Sequence, residues 1–397
     1  MSSVTIEKLF EWVDFVNSDT EARVETEPTP KYSICTLLAL IPVIAGANIW
    51  HTLTNRTARK PQQNLVFLVK SSRFDAETRR SLKTVGDFYT LDGVAIMQRF
   101  ALPHFAILYE LLLHCKRNPG WILLLTKLWL DFCVSSAKHL QGRTFVIEQD
   151  FRGRDGILCQ LKPIIDCKVI CLPHGLISRW AVTTYGAFPG MWSDVALAYE
   201  LETAEAMKDV VKKIGLQLAN SPKVFEFGPL CFCNKSKARV VRARYRLILI
   251  SSALEAYVNP DLILNSIETA ASAADCDLQV RWHPHERESL RIRYPYSENV
   301  EEKHALLTSE EPIIFIGMFS TFLYEADSMG FKTIWLTDLK LKKGEPPCVP
   351  KNLVNGVECR LDKLDGMVIE SVKASSIKSP AFSPVVERLA NIIRLSA

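Results

Sequence analysis

Short apolar runs, interspersed with stretches of helical periodicity, constrain this chain more than any other feature. One set comprises 64–70 (NLVFLVK), 88–91, 144–148 (TFVIE), 168–172 (KVICL), 195–199 (VALAY) and 223–227 (KVFEF). A second set comprises 246–250 (RLILI), 278–282, 313–316 and 332–336 (KTIWL). The runs are too short for helices and rich in Val, Ile, Leu and Phe, so they read as strands buried on both faces. Helical patterns fall between them at 103–116, 121–139, 156–165, 201–214, 260–274 and 321–329. Strand and helix in alternation predict parallel sheets covered on both sides.

At 397 residues the chain exceeds one ordinary core and predicts two large domains. The run 235–246, with Lys235, Lys237, Arg239, Arg242, Arg244 and Arg246, separates the two sets of strands and reads as a basic linker. The expected organisation is an N-terminal helical segment (1–60), a first Rossmann-like acceptor domain (61–234), the linker (235–246), a second Rossmann-like nucleotide-donor domain (247–383) and a C-terminal helix (384–397). Two doubly wound halves with parallel sheets facing a central cleft describe the GT-B class, in which ligands sit at the carboxyl ends of the strands.

Composition narrows the function classes. Hydrophobic residues make up 48% and charged residues 23%, which excludes a disordered chain. A net charge of +4 does not imply nucleic acid, and no zinc-finger or aromatic RNA-binding signature accompanies it, so no nucleic-acid partner is expected. The 11 cysteines are scattered and form no C-x-x-C pair, which fits buried thiols in a reducing compartment. Cys231 with Cys233, and Cys167 and Cys171 with His174, match no zinc framework, so no metal site is expected. The first thirty residues are polar and acidic, unlike a signal peptide. The apolar run 34–50 is at the short limit for a membrane span and reads as a buried or interfacial helix. Together with the basic run, it sets the expectation of a cytoplasmic protein that touches an anionic membrane peripherally.

Two strand ends in the second half carry the chemistry. The segment Arg281-Trp282-His283-Pro284-His285-Glu286 ends one strand, and alternation puts Arg281 and His283 on one side. Arg offers a fork of donors to phosphate oxygens, His offers a donor near a leaving group, and Pro284 stiffens the turn. The segment Gly317-Met318-Phe319-Ser320-Thr321 ends another strand and opens a helix. There, Ser320 or Thr321 is a candidate N-cap, and backbone N–H groups favour an anion. Glu325, one turn into that helix, is placed either to accept ribose hydroxyls or to be solvated. Ser251, Ser252 and Glu255, after the first strand of this half, either touch the nucleotide or cap a helix.

In the first half, His174-Gly175 ends a strand, and His174 is a candidate base because imidazole titrates near neutrality. Asp155, in the loop after 144–148, and Glu148 are its rivals. Spacing does not decide among the three.

Taken together, Leu172-Pro173-His174-Gly175, Phe225-Glu226-Phe227-Gly228-Pro229, Arg281-Trp282-His283-Pro284 and the segment 317–330 resemble bacterial GT-B enzymes that build capsules and other surface polymers. The groups concerned are polysialyltransferases, lipooligosaccharide sialyltransferases, Kdo transferases of capsule export and CDP-glycerol glycerophosphotransferases. The His-Pro pair of the polysialyltransferases corresponds to His283-Pro284. Their acidic-acidic-Gly motif corresponds to Arg154-Asp155-Gly156, with Arg154 in place of the first acid. In the glycerophosphotransferases, a His-Gly motif supplies the base and an Arg-x-His-Pro motif binds donor phosphates. His174-Gly175 and Arg281-Trp282-His283-Pro284 match both, and Ser320-Thr321 matches a Ser-rich strand end loosely. The resemblance covers roughly residues 140–340.

It implies an inverting, metal-independent glycosyltransferase with no cofactor, moving a sugar from a nucleotide-activated donor, a CMP-sugar by preference, to a glycan or glycolipid acceptor. Transfer of a CDP-linked polyol phosphate belongs to the same group. A nucleotide-sugar 2-epimerase of the same fold, and a non-catalytic nucleotide- or glycan-binding protein of an export complex, are the alternatives. The expected catalytic residues are His174, Asp155 and His283. The expected nucleotide contacts are Gly175, Ser251, Ser252, Glu255, Arg281, Pro284, Gly317, Ser320, Thr321 and Glu325.

Overall fold

The computed structural model describes residues 6–21, 30–54, 65–69, 74, 76–88, 102–150, 153–173, 175–214, 221–230, 244–251, 254, 257, 259–283, 286, 306–307, 309, 311–339, 342, 349–351, 353–373 and 385–396. The chain divides into two compact units. The first holds Met1–His174, Ala181–Glu226 and Ser396–Ala397, and the second Gly175–Trp180 and Phe227–Leu395.

The sheet of the first unit has the order β2-β1-β3-β4-β5-β6, with β1 Leu65–Leu68, β2 Asp87–Phe88, β3 Thr144–Ile147, β4 Lys168–Cys171, β5 Val195–Ala198 and β6 Lys223–Glu226. Every neighbouring pair is parallel. The inner strands β1 and β5 are buried at every residue, because helices cover both faces and leave no polar side to alternate with. The helices are α1 (Ile6–Glu21), α2 (Ile34–Thr54), α3 (Ala76–Val85), α4 (Leu102–Arg117), α5 (Gly120–Ser136), α6 (Gly153–Ile165), α7 (Arg179–Tyr185) and α8 (Leu201–Ile214). Leu9, Trp12 and Val13 of α1 belong to the main core of this unit. Gly156 on α6 permits that contact, since a Cβ there would lie 2.5 Å from the Trp12 ring. Among the described residues no helix is long and apolar enough to cross a membrane. The apolar α2, interrupted by Pro42, instead packs against α4.

The second unit has the order β11-β10-β9-β7-β8, all parallel, with β7 Arg246–Ile250, β8 Asp277–Arg281, β9 Ile313–Gly317, β10 Lys332–Leu336 and β11 Gly356–Cys359. Its helices are α9 (Pro260–Ala273), α10 (Thr321–Ser328), α11 (Leu364–Lys373) and α12 (Val385–Ser396). β11 and α11 were not expected from the sequence. β11 is a half-exposed edge strand and lacks the buried apolar run that marked the others. α10 stops at Gly330, whose φ of +86° suits a residue without Cβ. Gly330 N–H bonds to the Asp327 carbonyl at 2.8 Å and Phe331 N–H to the Ala326 carbonyl at 3.0 Å, the paired closure of a Schellman end. Arg388 on α12 donates to the carbonyls of Phe227 and Pro229 and lies over the Phe227 ring.

Two Rossmann-like parallel sheets in one chain are the domain pair of the GT-B class expected from the sequence. Much of the basic run lies outside the described residues. Arg244 pairs with Asp275 at 2.8 Å and Asp277 at 3.0 Å, and Arg246 reaches Glu311 and Gln279.

Candidate functional site

In the second unit the chain leaves β7 on one side to form β8 and then crosses to the other side of β7 to form β9. That reversal opens a crevice between the carboxyl ends of β7 and β9, where doubly wound sheets hold their ligands. Ile250 at the end of β7 is level with Arg281 on one side and Gly317 on the other. The strand ends picked out from the sequence, 250–251, 281 and 317–321, therefore converge on one edge of one sheet.

Gly317 serves this edge through packing. A Cβ would lie 2.9 Å from the Ile250 carbonyl oxygen, so a side chain there would push β9 from β7. Ser320 is the N-cap of α10, with extended backbone (φ −147°, ψ 128°) and no capping bond from its side chain. The Thr321 hydroxyl accepts the Leu176 N–H at 2.7 Å. A Cβ on Gly175 would lie 3.3 Å from that hydroxyl, so the small residue lets the 175–180 segment approach α10.

Arg281 is largely buried, with its guanidinium 4.9 Å from the centre of the Phe322 ring. Burial lowers its pKa from the ordinary value, and the Glu325 carboxylate acts in the opposite direction. Glu325 is 1% exposed. The solvated role held open for it from the sequence is therefore wrong. Phe322 and Glu325, three positions apart on α10, share one face, and Arg281 interacts with both.

Ser251 is also buried. Its N–H bonds to the Arg281 carbonyl at 3.0 Å, and its hydroxyl donates to Glu286. The Leu254 N–H donates to the same carboxylate oxygen at 2.9 Å, and the Glu286 N–H returns to the His283 carbonyl at 2.9 Å. Glu286, last residue of the Arg281–Glu286 segment, is not among the residues expected to contact the nucleotide. It ties the loop after β7 to the loop after β8. The available signal was a carboxylate five residues after Arg281 in an otherwise basic motif. Ser252, Glu255 and Pro284 lie outside the described residues.

The first sheet has the same reversal, between β1 and β3. Glu148 directly follows β3 and is buried. Asp150, fully buried, accepts the N–H groups of Gly190 at 2.8 Å and Trp192 at 2.6 Å and the Ser193 hydroxyl. Burial outweighs these donors and moves its pKa up to about 6. Asp155 lies in the first turn of α6 and pairs with Arg154 at 2.8 Å. Burial raises its pKa, and Arg154 opposes the rise. His174 lies outside the described residues.

Glu200, absent from the residues expected in the site, lies two residues beyond the end of β5. Burial, aided by Glu202, moves its pKa up to about 7. Its Oε1 is buried with no hydrogen-bond partner among the described residues. The adjacent Tyr199 hydroxyl donates to the Pro173 carbonyl at 3.4 Å. A carboxyl group half-protonated near neutrality can take a proton from a hydroxyl.

No family model matches the sequence, and no curated protein does. Solved structures resemble the chain in shape. The UDP-GlcNAc 2-epimerase of Methanocaldococcus jannaschii matches with TM-score 0.44 and 11% identity, over 83% of this chain and 99% of that one. Its complex with UDP-GlcNAc and UDP matches with TM-score 0.43 and 13% identity, over 83% and 99%. The glycosyltransferase SnogD of Streptomyces nogalater matches with TM-score 0.38 and 12% identity, over 84% and 100%.

Proposed function

We propose that this chain is an inverting, metal-independent glycosyltransferase that takes a sugar from a nucleotide-activated donor, a CMP-sugar by preference, and moves it to a surface-glycan acceptor. The observation that carries this reading is the convergence of Ser251, Arg281 and Gly317–Thr321 at the reversal between β7 and β9. A nucleotide phosphate fits there, against a guanidinium and the N-terminus of α10. The preference for a CMP-sugar, and the surface-glycan acceptor, rest on the resemblance of the sequence motifs.

In the reaction, the acceptor oxygen attacks the anomeric carbon, and the bond from that carbon to the phosphate oxygen breaks. The nucleotide leaves with the electron pair. Arg281, His283 and the start of α10 offset the charge that grows on it, and such preset groups contribute about 3 kcal/mol each. The acceptor proton passes to a base, His174 or Asp155 as read from the sequence, with Glu200 added by its titration range.

A thermal-shift panel with CMP, CDP, UDP and GDP on wild type and Arg281→Ala tests the donor site. Stabilisation by one nucleotide, lost in the variant, is the expected result. Product analysis with the matching nucleotide sugar then separates transfer from isomerisation. An isomerised sugar, or no turnover, would overturn the reading.

A further inference from the structure

We propose that the first unit docks on an anionic lipid bilayer through the outer face of α5 and the corner that α5 shares with α2 and α4. α5 is apolar on both sides. One side, with Ile122, Thr126, Trp129, Leu130 and Cys133, is buried. The other carries Trp121, Leu124 and Leu128, exposed by 56%, 63% and 61%. These positions follow helical spacing, so they form one stripe. Three large apolar side chains this exposed on one helix face mark a surface meant to be covered.

The surroundings favour lipid. Lys127 is exposed within the stripe, and Lys116 and Arg117 are exposed at the end of α4, just before Trp121. The start of α2 is fastened to the same corner. The Lys31 N–H donates to Glu110 at 2.8 Å, and the His114 ring donates to the Tyr32 carbonyl at 2.8 Å. This holds an exposed lysine and a Tyr that is 48% exposed beside the end of α4. α2 itself leaves Leu38 and Val43 exposed. Opposing charge comes from Asp14, which pairs with Lys116 at 2.7 Å, and from Asp131 on α5. Tyr and Trp with Lys and Arg around exposed Leu is the composition of an element lying in the headgroup region. A second copy of the chain would instead bring these cations against each other. The geometry is that of lying on a bilayer, as no described helix is long and apolar enough to cross one.

The surface is independent of the sugar-transfer reading, and its test does not use turnover. Full-length protein is sedimented with vesicles of phosphatidylcholine alone and of phosphatidylcholine with phosphatidylglycerol. Binding to the second only is expected. Leu124→Ser with Leu128→Ser should lower it at least about tenfold, and Lys127→Gln or Arg117→Gln about fivefold each. Trp121→Phe should remove the fluorescence blue shift seen on binding. All these positions are exposed, and an unchanged melting temperature confirms folding. The proposal is overturned by absence of binding to anionic vesicles, by full binding in the double serine variant, or by a wild-type dimer that this variant splits. The nucleotide thermal shift, measured on the same variants, reports on the donor site separately.

Discussion

The Glu286 carboxylate accepts the Ser251 hydroxyl proton and, on the same oxygen, the Leu254 N–H. One buried side chain thus holds the two strand-end loops that flank Arg281. Glu286→Ala would leave a buried hydroxyl and a buried N–H without an acceptor. A destabilisation of about 2–4 kcal/mol is expected, read as a lower urea midpoint. Glu286→Gln keeps an acceptor oxygen and should lose about 1 kcal/mol. If the alanine variant matches wild type in urea, the link does not hold the loops.

Arg281 has two duties that a double variant separates. Arg281→Ala removes the charge opposite the buried Glu325, and about 2–4 kcal/mol of stability should go with it. Adding Glu325→Gln should restore most of that loss and leave the nucleotide-induced thermal shift absent. Recovery of the nucleotide response in the double variant would show that Arg281 is not a phosphate contact. Arg281→Lys should not substitute, since an ammonium lacks the planar fork and the stacking on Phe322.

Glu200 gives a pH dependence with a definite sign. Its folded pKa, about 7, lies above the ordinary value of 4.5. The fold therefore favours the protonated form. That contribution is complete below the unfolded pKa and is lost as pH rises through the folded one. Asp150, raised to about 6, has the same sign at lower pH. Glu200→Gln should flatten the fall in stability between about pH 5 and pH 7 and leave the variant more stable than wild type at pH 8. The measurement is urea unfolding across that range. An unchanged slope would mean that Glu200 titrates as an ordinary carboxyl.

Asp327 anchors the entry to β11. It accepts the N–H of Val354 at 2.6 Å, that of Asn355 at 3.0 Å and the Thr333 hydroxyl at 3.1 Å. Asp327→Ala should cost about 3 kcal/mol or more, because several buried donors lose their acceptor together. Gly356→Ala should destabilise too, since its Cβ would lie 2.7 Å from the Thr333 hydroxyl and 2.9 Å from Asp327. Hydrogen exchange at β11, faster in both variants, is the local readout. Protection equal to wild type would contradict the anchoring role.

The parallel α/β class was legible in the chain because its signal is local. A strand segment such as 247–250 or 334–336, buried on both faces, is apolar throughout, and that run is visible without any partner. β11 escaped for the same reason, since an edge strand needs no such run. The strand ends at 281 and 317 were legible as punctuation, where an apolar run gives way to Arg-Trp-His-Pro or to Gly followed by Ser-Thr. What each side chain does there was not. Gly317 reads as a turn residue, yet its closest constraint is the Ile250 carbonyl. Ser251 reads as a ligand or a cap, yet its hydroxyl is turned to Glu286.

The sequence by itself determined two parallel α/β units and the polar strand ends of the second, because strand burial and the change from an apolar run to polar residues are written in neighbouring residues. Only the tertiary structure decided that β7 stands between β8 and β9, so that residues 35 positions apart, Ser251 and Glu286, share one hydrogen bond. It likewise decided that Glu325 is buried beside Arg281, and that Glu200 titrates near neutrality. Each of these depends on desolvation and pairing by groups distant in the chain, for which local periodicity carries no signal.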